Sequence, residues 1–215
     1  HCESSAASDV YKRQAPAWGY GGIRQRRREG LMMIVKIVMW RLRAAGRHFL
    51  VKSYDMRNAF ATGDHAYLFE AHAERTEDEH FDDLLIQHRE GAILAIDACD
   101  SHISVRPSTG GRMGDSNEPE LFMSAFYRGV EAWLKETTEL TNDDLTAECP
   151  ITAQRQQVSM GAFIDDLVRI YPLPEGPPKT KWALAVDYLD NATLNKYIHI
   201  TGHRQNVEKQ DTLVY

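Results

Sequence analysis

Cysteine is scarce and badly placed for cross-linking. Cys2, Cys99 and Cys149 are odd in number and form no CxxC pair, which excludes a disulfide framework and a cysteine-built zinc knuckle. Long apolar runs are missing as well. The longest, Leu31 to Met39, is interrupted by Lys36 and falls far short of the about 20 residues that span a membrane, so neither a membrane segment nor a membrane partner is expected. The start of the chain lacks the basic, apolar and small-residue succession of a secretory signal. The expectation is an intracellular protein, nuclear or cytoplasmic, and not a secreted one. Positive charge is not in excess: 25 Lys and Arg stand against 31 Asp and Glu, a net charge of -6. A protein that holds nucleic acid by overall charge is basic, so any such role here must come from a local patch. There is no P-loop, no GxGxxG, no Ser/His/Asp order and no internal repeat.

What is present is ordinary globular composition, 43% hydrophobic and 26% charged over 215 residues, enough for one full core. Residues 1–14 are small and polar without periodicity. Asp9 to Gln14, DVYKRQ, resembles the in-frame translation of a transposase sequencing adapter, and the stretch is read as a non-native or disordered tail. A Gly/aromatic loop, Trp18 to Gly22, leads into the basic run Arg24 to Arg28, which by composition alone could be a solvated loop. Leu31, Ile34, Val35, Val38, Met39 and Leu42 fall at helical spacing, with Gly46 as the residue after the C-cap. Phe49 to Tyr54 reads as a buried strand. Thr76 and Glu79 match a capping box for a helix to His88. Ala92 to Cys99 and His102 to Val105 read as a hairpin. Pro119 suits the first turn of a helix to about Lys135. Two short strands flank Asp165-Asp166, Pro172 to Pro178 is a linker, a helix covers Lys181 to Ile198, and a strand closes the chain. This mixed order predicts an α+β domain with helices packed on one face of a largely antiparallel sheet.

Two acidic points end apolar strands: Asp55, after Phe49 to Tyr54, and the pair Asp165-Asp166 between two apolar segments. A carboxylate leaving a buried strand is costly to desolvate unless paired or bound to metal. Adjacent acids at a hairpin tip repel, and a divalent cation relieves the repulsion. Asp55 beside Asp165 makes an oxygen-only site suited to Mg²⁺ and to two-metal phosphoryl transfer. Against this, Asp-Asp is also a common turn.

Tyr54-Asp55 with Ala59-Phe60, then Gly111 to Asp115 with Pro119 to Phe122, then Phe163-Ile164-Asp165-Asp166, resemble the palm motifs of reverse transcriptases, most closely those of non-LTR retroelements. Gln205 to Lys209 followed by Leu213 to Tyr215 is similar to the next motif of that family, and Gly22 to Arg28 to its Gly-Phe-Arg segment. The resemblance implies a polymerase palm over residues 48–215, truncated before the thumb, with 15–47 a remnant of the fingers and the helix leading into the palm. It implies an RNA-directed DNA polymerase fragment using two Mg²⁺ ions, with Mn²⁺ as an alternative, an RNA template, a DNA primer and deoxynucleoside triphosphates. Asp55 and Asp165 would be metal ligands, joined by the backbone carbonyl of Met56, with Asp166 a nearby acid. Phe60 would crowd a ribose 2′-hydroxyl. Gly114 and Asp115 would support the template base and nucleotide, Lys209 would protonate the leaving pyrophosphate, and Arg24 and Arg28 would face nucleic acid or triphosphate.

The chain departs from the family in having Arg112 or Met113 where glutamine is usual, Glu118-Pro119 for Ser-Pro, and Ile164 for the small residue of the hairpin. The alternative is a catalytically inactive retroelement-derived fragment with at most nucleic-acid binding. An RNA-templated RNA polymerase palm would share the Asp-Asp hairpin, but Phe60 argues against it. His65, His72, His80 and His88 recur every seven or eight residues, a spacing closer to a solvated helix face than to a zinc site. Trp133 and Trp182 read as core anchors, and the acidic run Glu74 to Asp83 as exposed.

Overall fold

A computed structural model describes residues 16–21, 23, 26–74, 80, 83, 86–87, 91–98, 101–111, 118–141, 145–148, 151, 153–176 and 179–215. The 1–14 tail, the capping box at Thr76 and Glu79, Arg24, Gly114 and Asp115 lie outside these residues, as do Arg112, Met113, His88, Cys99 and Cys149.

The chain runs through α1 (Arg28–Ala44), β1 (Phe49–Tyr54), α2 (Ala59–Thr62), α3 (His65–Ala73), β2 (Leu94–Ala98), β3 (Ser101–Val105) and α4 (Glu118–Thr141). It continues through β4 (Thr146–Glu148), β5 (Arg155–Gln157), β6 (Met160–Phe163), β7 (Asp166–Pro172), α5 (Lys179–Ile200), a short 3₁₀ turn (Val207–Lys209) and β8 (Asp211–Val214). Strands β6, β7, β1 and β8 form, in that order, a four-stranded sheet whose three pairings are all antiparallel. The α+β class with a largely antiparallel sheet is as expected from the sequence.

Helix α1 ends as its glycine predicts. Gly46 has φ of +67°; its N–H donates to Arg43 O at 2.9 Å and that of Arg47 to Leu42 O at 2.9 Å, the paired bonds of a Schellman stop. The periodic residues Leu31, Val35, Val38 and Leu42 pack on Phe49 and Ile170, with Val51 and Val168 beside them. Strand alternation sends the intervening residues to the opposite face. There Tyr54 and Leu167 meet Phe122, Phe126, Val130 and Trp133 of α4 and Leu194 and Ile198 of α5. Helices α4 and α5 therefore cover one face and α1 lies on the other, so the helices are not confined to one face of the sheet as expected. Residues Trp18 to Tyr20 add a parallel bridge beside β6, with Tyr20 N to Ala162 O at 2.8 Å and Ala162 N to Trp18 O at 2.9 Å.

Some expectations need correction. Trp133 is fully buried, but Trp182 is 47% exposed, because its side of α5 faces away from the sheet. Helices α2 and α3 occupy a stretch without a predicted element. Asp64 starts α3 by accepting from Ala66 N at 2.9 Å and Tyr67 N at 3.2 Å, an N-cap readable in the sequence. The histidines do not line one solvated face: His72 is buried and His65 Nε2 donates to Gly110 O at 2.7 Å. The β2–β3 hairpin forms in the expected place, apart from the main sheet. Leu94, Ile96, Ile103 and Val105, facing one another across it, are all exposed. Among the described residues no helix is long and apolar enough to cross a membrane.

Candidate active site

Antiparallel register brings the acidic residues to one end of the two central strands. Tyr54 pairs with Leu167 as the last rung between β1 and β7, so the next step sets Asp55 beside Asp166. Phe163 pairs with Asp166 to close the β6–β7 hairpin, leaving Ile164 and Asp165 at its tip. Ile164 has φ of +62°, which a β-branched residue adopts only under strain. The tip rests on Gly21, where a Cβ would lie 2.3 Å from Ile164 N. A glycine is required at that approach.

Burial raises the carboxyl pKa of Asp165, and the neighbouring charges of Asp166 and Asp55 raise it further, partly offset by a backbone hydrogen bond. Negative charge is thus concentrated at this point and only partly compensated. Asp166 is half exposed and 3.5 Å from Arg28. Asp55 is held from the other side by the segment after α5. Its Oδ2 accepts from Asn206 Nδ2 at 2.8 Å and lies 3.9 Å from Lys209 Nζ. Its backbone O accepts from Asn206 N at 2.8 Å, and Arg57 N donates to Arg204 O at 2.8 Å. These two bonds flank the Met56–Gln205 bridge and leave the carbonyl of Met56 unused by it.

Phe60 lies in α2, half-buried, its ring 4.7 Å from that of Phe122. The Ser108–Gly111 loop, which leads into the second motif, is tied to the same helix. Gly111 N donates to Phe60 O at 2.5 Å and Gly110 N to Gly63 O at 2.8 Å. In the basic run, Arg26 is structural, its guanidinium donating to Pro16 O and Gly19 O at 2.6 Å each. Arg28 reaches Asp166 alone of the three aspartates.

Among the described residues no group of three or more His, Cys, Asp or Glu side chains converges as a metal-holding cluster. The oxygen set that could hold a hard cation is smaller: the carboxylates of Asp55 and Asp165 and the Met56 carbonyl. Its partly uncompensated charge at Asp165 is the physical reason it would accept one. Sequence reasoning assigned no role to Asn206, although it stood inside a recognised motif.

No family model matches the chain, and no curated protein matches it in sequence. Solved structures do match in fold. An apo telomerase from Candida tropicalis, truncated from its C-terminal domain, superposes with a TM-score of 0.63 at 15% identity over 99% of this chain and 40% of that one. The Candida tropicalis telomerase in complex with a TWJ fragment of telomeric RNA gives 0.62 at 13% identity, covering 99% of this chain and 34% of that one. The corresponding Candida albicans complex gives 0.57 at 11% identity, covering 96% and 34%. The chain thus spans two fifths or less of these proteins. At such identity the likeness establishes the fold alone, one this chain shares with part of these telomerases.

Proposed function

We propose that this chain is the palm, with a small part of the fingers, of an RNA-directed DNA polymerase of the non-LTR retroelement kind, acting inside the cell on an RNA template and a DNA primer. The observation that carries the reading is the meeting of Asp55, Asp165 and Asp166 at one end of β1 and β7, with Lys209 beside them. Asp55, Asp165 and the Met56 carbonyl would hold divalent cations, Mg²⁺ or Mn²⁺, which activate a primer hydroxyl and neutralise a triphosphate. The primer 3′-oxygen attacks the α-phosphorus of a deoxynucleotide, and the bond to the bridging oxygen of pyrophosphate breaks. Lys209, 71% exposed in its side chain, is free to swing from Asp55 and give its proton to the departing pyrophosphate. The ring of Phe60 would exclude a ribose 2′-hydroxyl.

The nucleic-acid partner finds its local patch on and around α1. Residues 24–47 hold eight Lys and Arg against one acid, Glu29, whereas the rest of the chain has 17 against 30. Arg27, Arg28, Lys36, Arg41, Arg43 and Arg47 are all exposed, and Arg28 links this surface to Asp166.

The test combines primer extension on an RNA template with Mn²⁺ binding followed by electron paramagnetic resonance. Asp165→Asn is expected to lose both, while Phe60→Val gains ribonucleotide incorporation. Undiminished extension by Asp165→Asn overturns the mechanism. A wild-type chain that binds nucleic acid but neither Mn²⁺ nor nucleotide supports the inactive fragment instead.

A further inference from the structure

We infer that Asn206 is a positioning residue that fixes the Asp55 carboxylate, engaging Oδ2 so that Oδ1 is the oxygen presented to a cation. The inference rests on the two-aspartate site proposed above and adds a residue to it. Asn206 holds Asp55 at both ends, its backbone N–H on the backbone carbonyl and its side-chain amide on the carboxylate, each at 2.8 Å. Lys209 approaches the same oxygen, Oδ2. A carboxylate with one oxygen tied loses its rotational freedom, and its other oxygen points in one direction. Partners of this kind orient ligands, and their loss typically costs about 10- to 100-fold in metal affinity.

A merely structural role for the side chain is disfavoured by how the segment is anchored without it. Arg57 N to Arg204 O at 2.8 Å and Asn206 N to Asp55 O are backbone bonds. Gln205 Nε2 donates to Asn191 O at 3.2 Å, and Gln210 Nε2 to Gln205 Oε1 at 2.5 Å. Removing the Asn206 amide leaves all four in place. It also leaves Lys209 facing Asp55, so the charge balance of the site is unchanged.

Mn²⁺ binding to the full chain, measured by paramagnetic resonance without nucleotide, tests the inference with Asn206→Ala and the near-isosteric Asn206→Leu. Both are expected to weaken Mn²⁺ binding at least tenfold while melting within a few degrees of wild type. Where primer extension is measurable, kcat is expected to fall with little change in KM for nucleotide. Wild-type Mn²⁺ affinity in both variants, with binding lost in Asp55→Asn, overturns the role of Asn206 and leaves the site standing. Failure of the wild-type chain to bind Mn²⁺, or undiminished binding by Asp55→Asn, overturns the site and the inference together.

Discussion

His203 has no exposed surface and stands edge-on to Phe122 and Phe126, ring centroids 5.2 and 5.7 Å away. Thr201 Oγ1 meets its Nδ1 at 2.5 Å. Burial pushes the imidazole pKa from 6.5 down to about 4, a backbone hydrogen bond to Ala59 opposing part of the shift. Because the folded value lies below the unfolded one, the unfolded chain binds the extra proton first. This contribution to stability is complete above about pH 6.5, falls as pH drops toward 4, and is fully lost below that. Its size is on the order of 3 kcal/mol. Urea midpoints between pH 7.5 and 4.5 are expected to fall more steeply for wild type than for His203→Phe; parallel profiles would remove His203 as the cause. Nothing in the spacing around His203 marks it as neutral. Its protonation state follows from two aromatic residues some eighty positions earlier.

The elements are tied beneath the site by a buried polar cluster. Asp190 of α5 accepts from the hydroxyls of Tyr54 and Tyr171 and from Trp133 Nε1 at 3.1 Å, with Arg169 3.8 Å away. Arg169 is fully buried, its guanidinium 4.6 Å from the Trp133 ring and 4.4 Å from that of Tyr171. Burial raises the Asp190 carboxyl pKa, while Arg169 and the two tyrosine hydroxyls oppose the shift. Lys52, one strand over, is also buried and lies 2.5 Å from Asp187. Breaking one side of such a pair leaves a buried charge alone, which costs about 3–5 kcal/mol. Asp190→Ala is therefore expected to lower the urea midpoint sharply with an unchanged slope. Asp190→Leu combined with Arg169→Met should recover part of the loss. A double variant no better than the single would show that the cluster is not held by this pair. Tyr54 immediately precedes Asp55, so the cluster also fixes the strand end that presents the carboxylate. None of this was legible: Lys52 and Arg169 stand in apolar strands as ordinary alternation would place an outward residue, and only packing of α5 turns that face inward. The stop at Gly46 was written locally and was read locally, whereas the equally local N-cap at Asp64 went unread.

At the scale of the whole molecule, charge is divided by place. The basic residues are concentrated in 24–47, in a protein whose remaining sequence is acidic, and Arg27, Arg28, Lys36, Arg41, Arg43 and Arg47 are exposed on and around α1. Binding of single-stranded RNA is therefore expected to weaken steeply with salt, log K falling by about 0.7 per phosphate contact for each unit of log salt concentration. Charge reversal at Lys36, Arg41 and Arg43, all exposed, should reduce that slope by about two for single strands. An unchanged slope in the triple variant would place the nucleic acid elsewhere.

The sequence by itself determined the α+β class, the principal strands and helices, and the order of the acidic motifs along the chain. These depend on periodicity, caps and turn residues within a few positions of one another. It also placed Asp55, Asp165 and Lys209 in one expected site through resemblance. Only the tertiary structure decided that α1 and the α4–α5 pair lie on opposite faces, that Trp182 is exposed, and that Asn206 holds Asp55. Those outcomes turn on contacts between segments far apart in the chain, where the register of an antiparallel sheet, not local preference, selects which side chains meet.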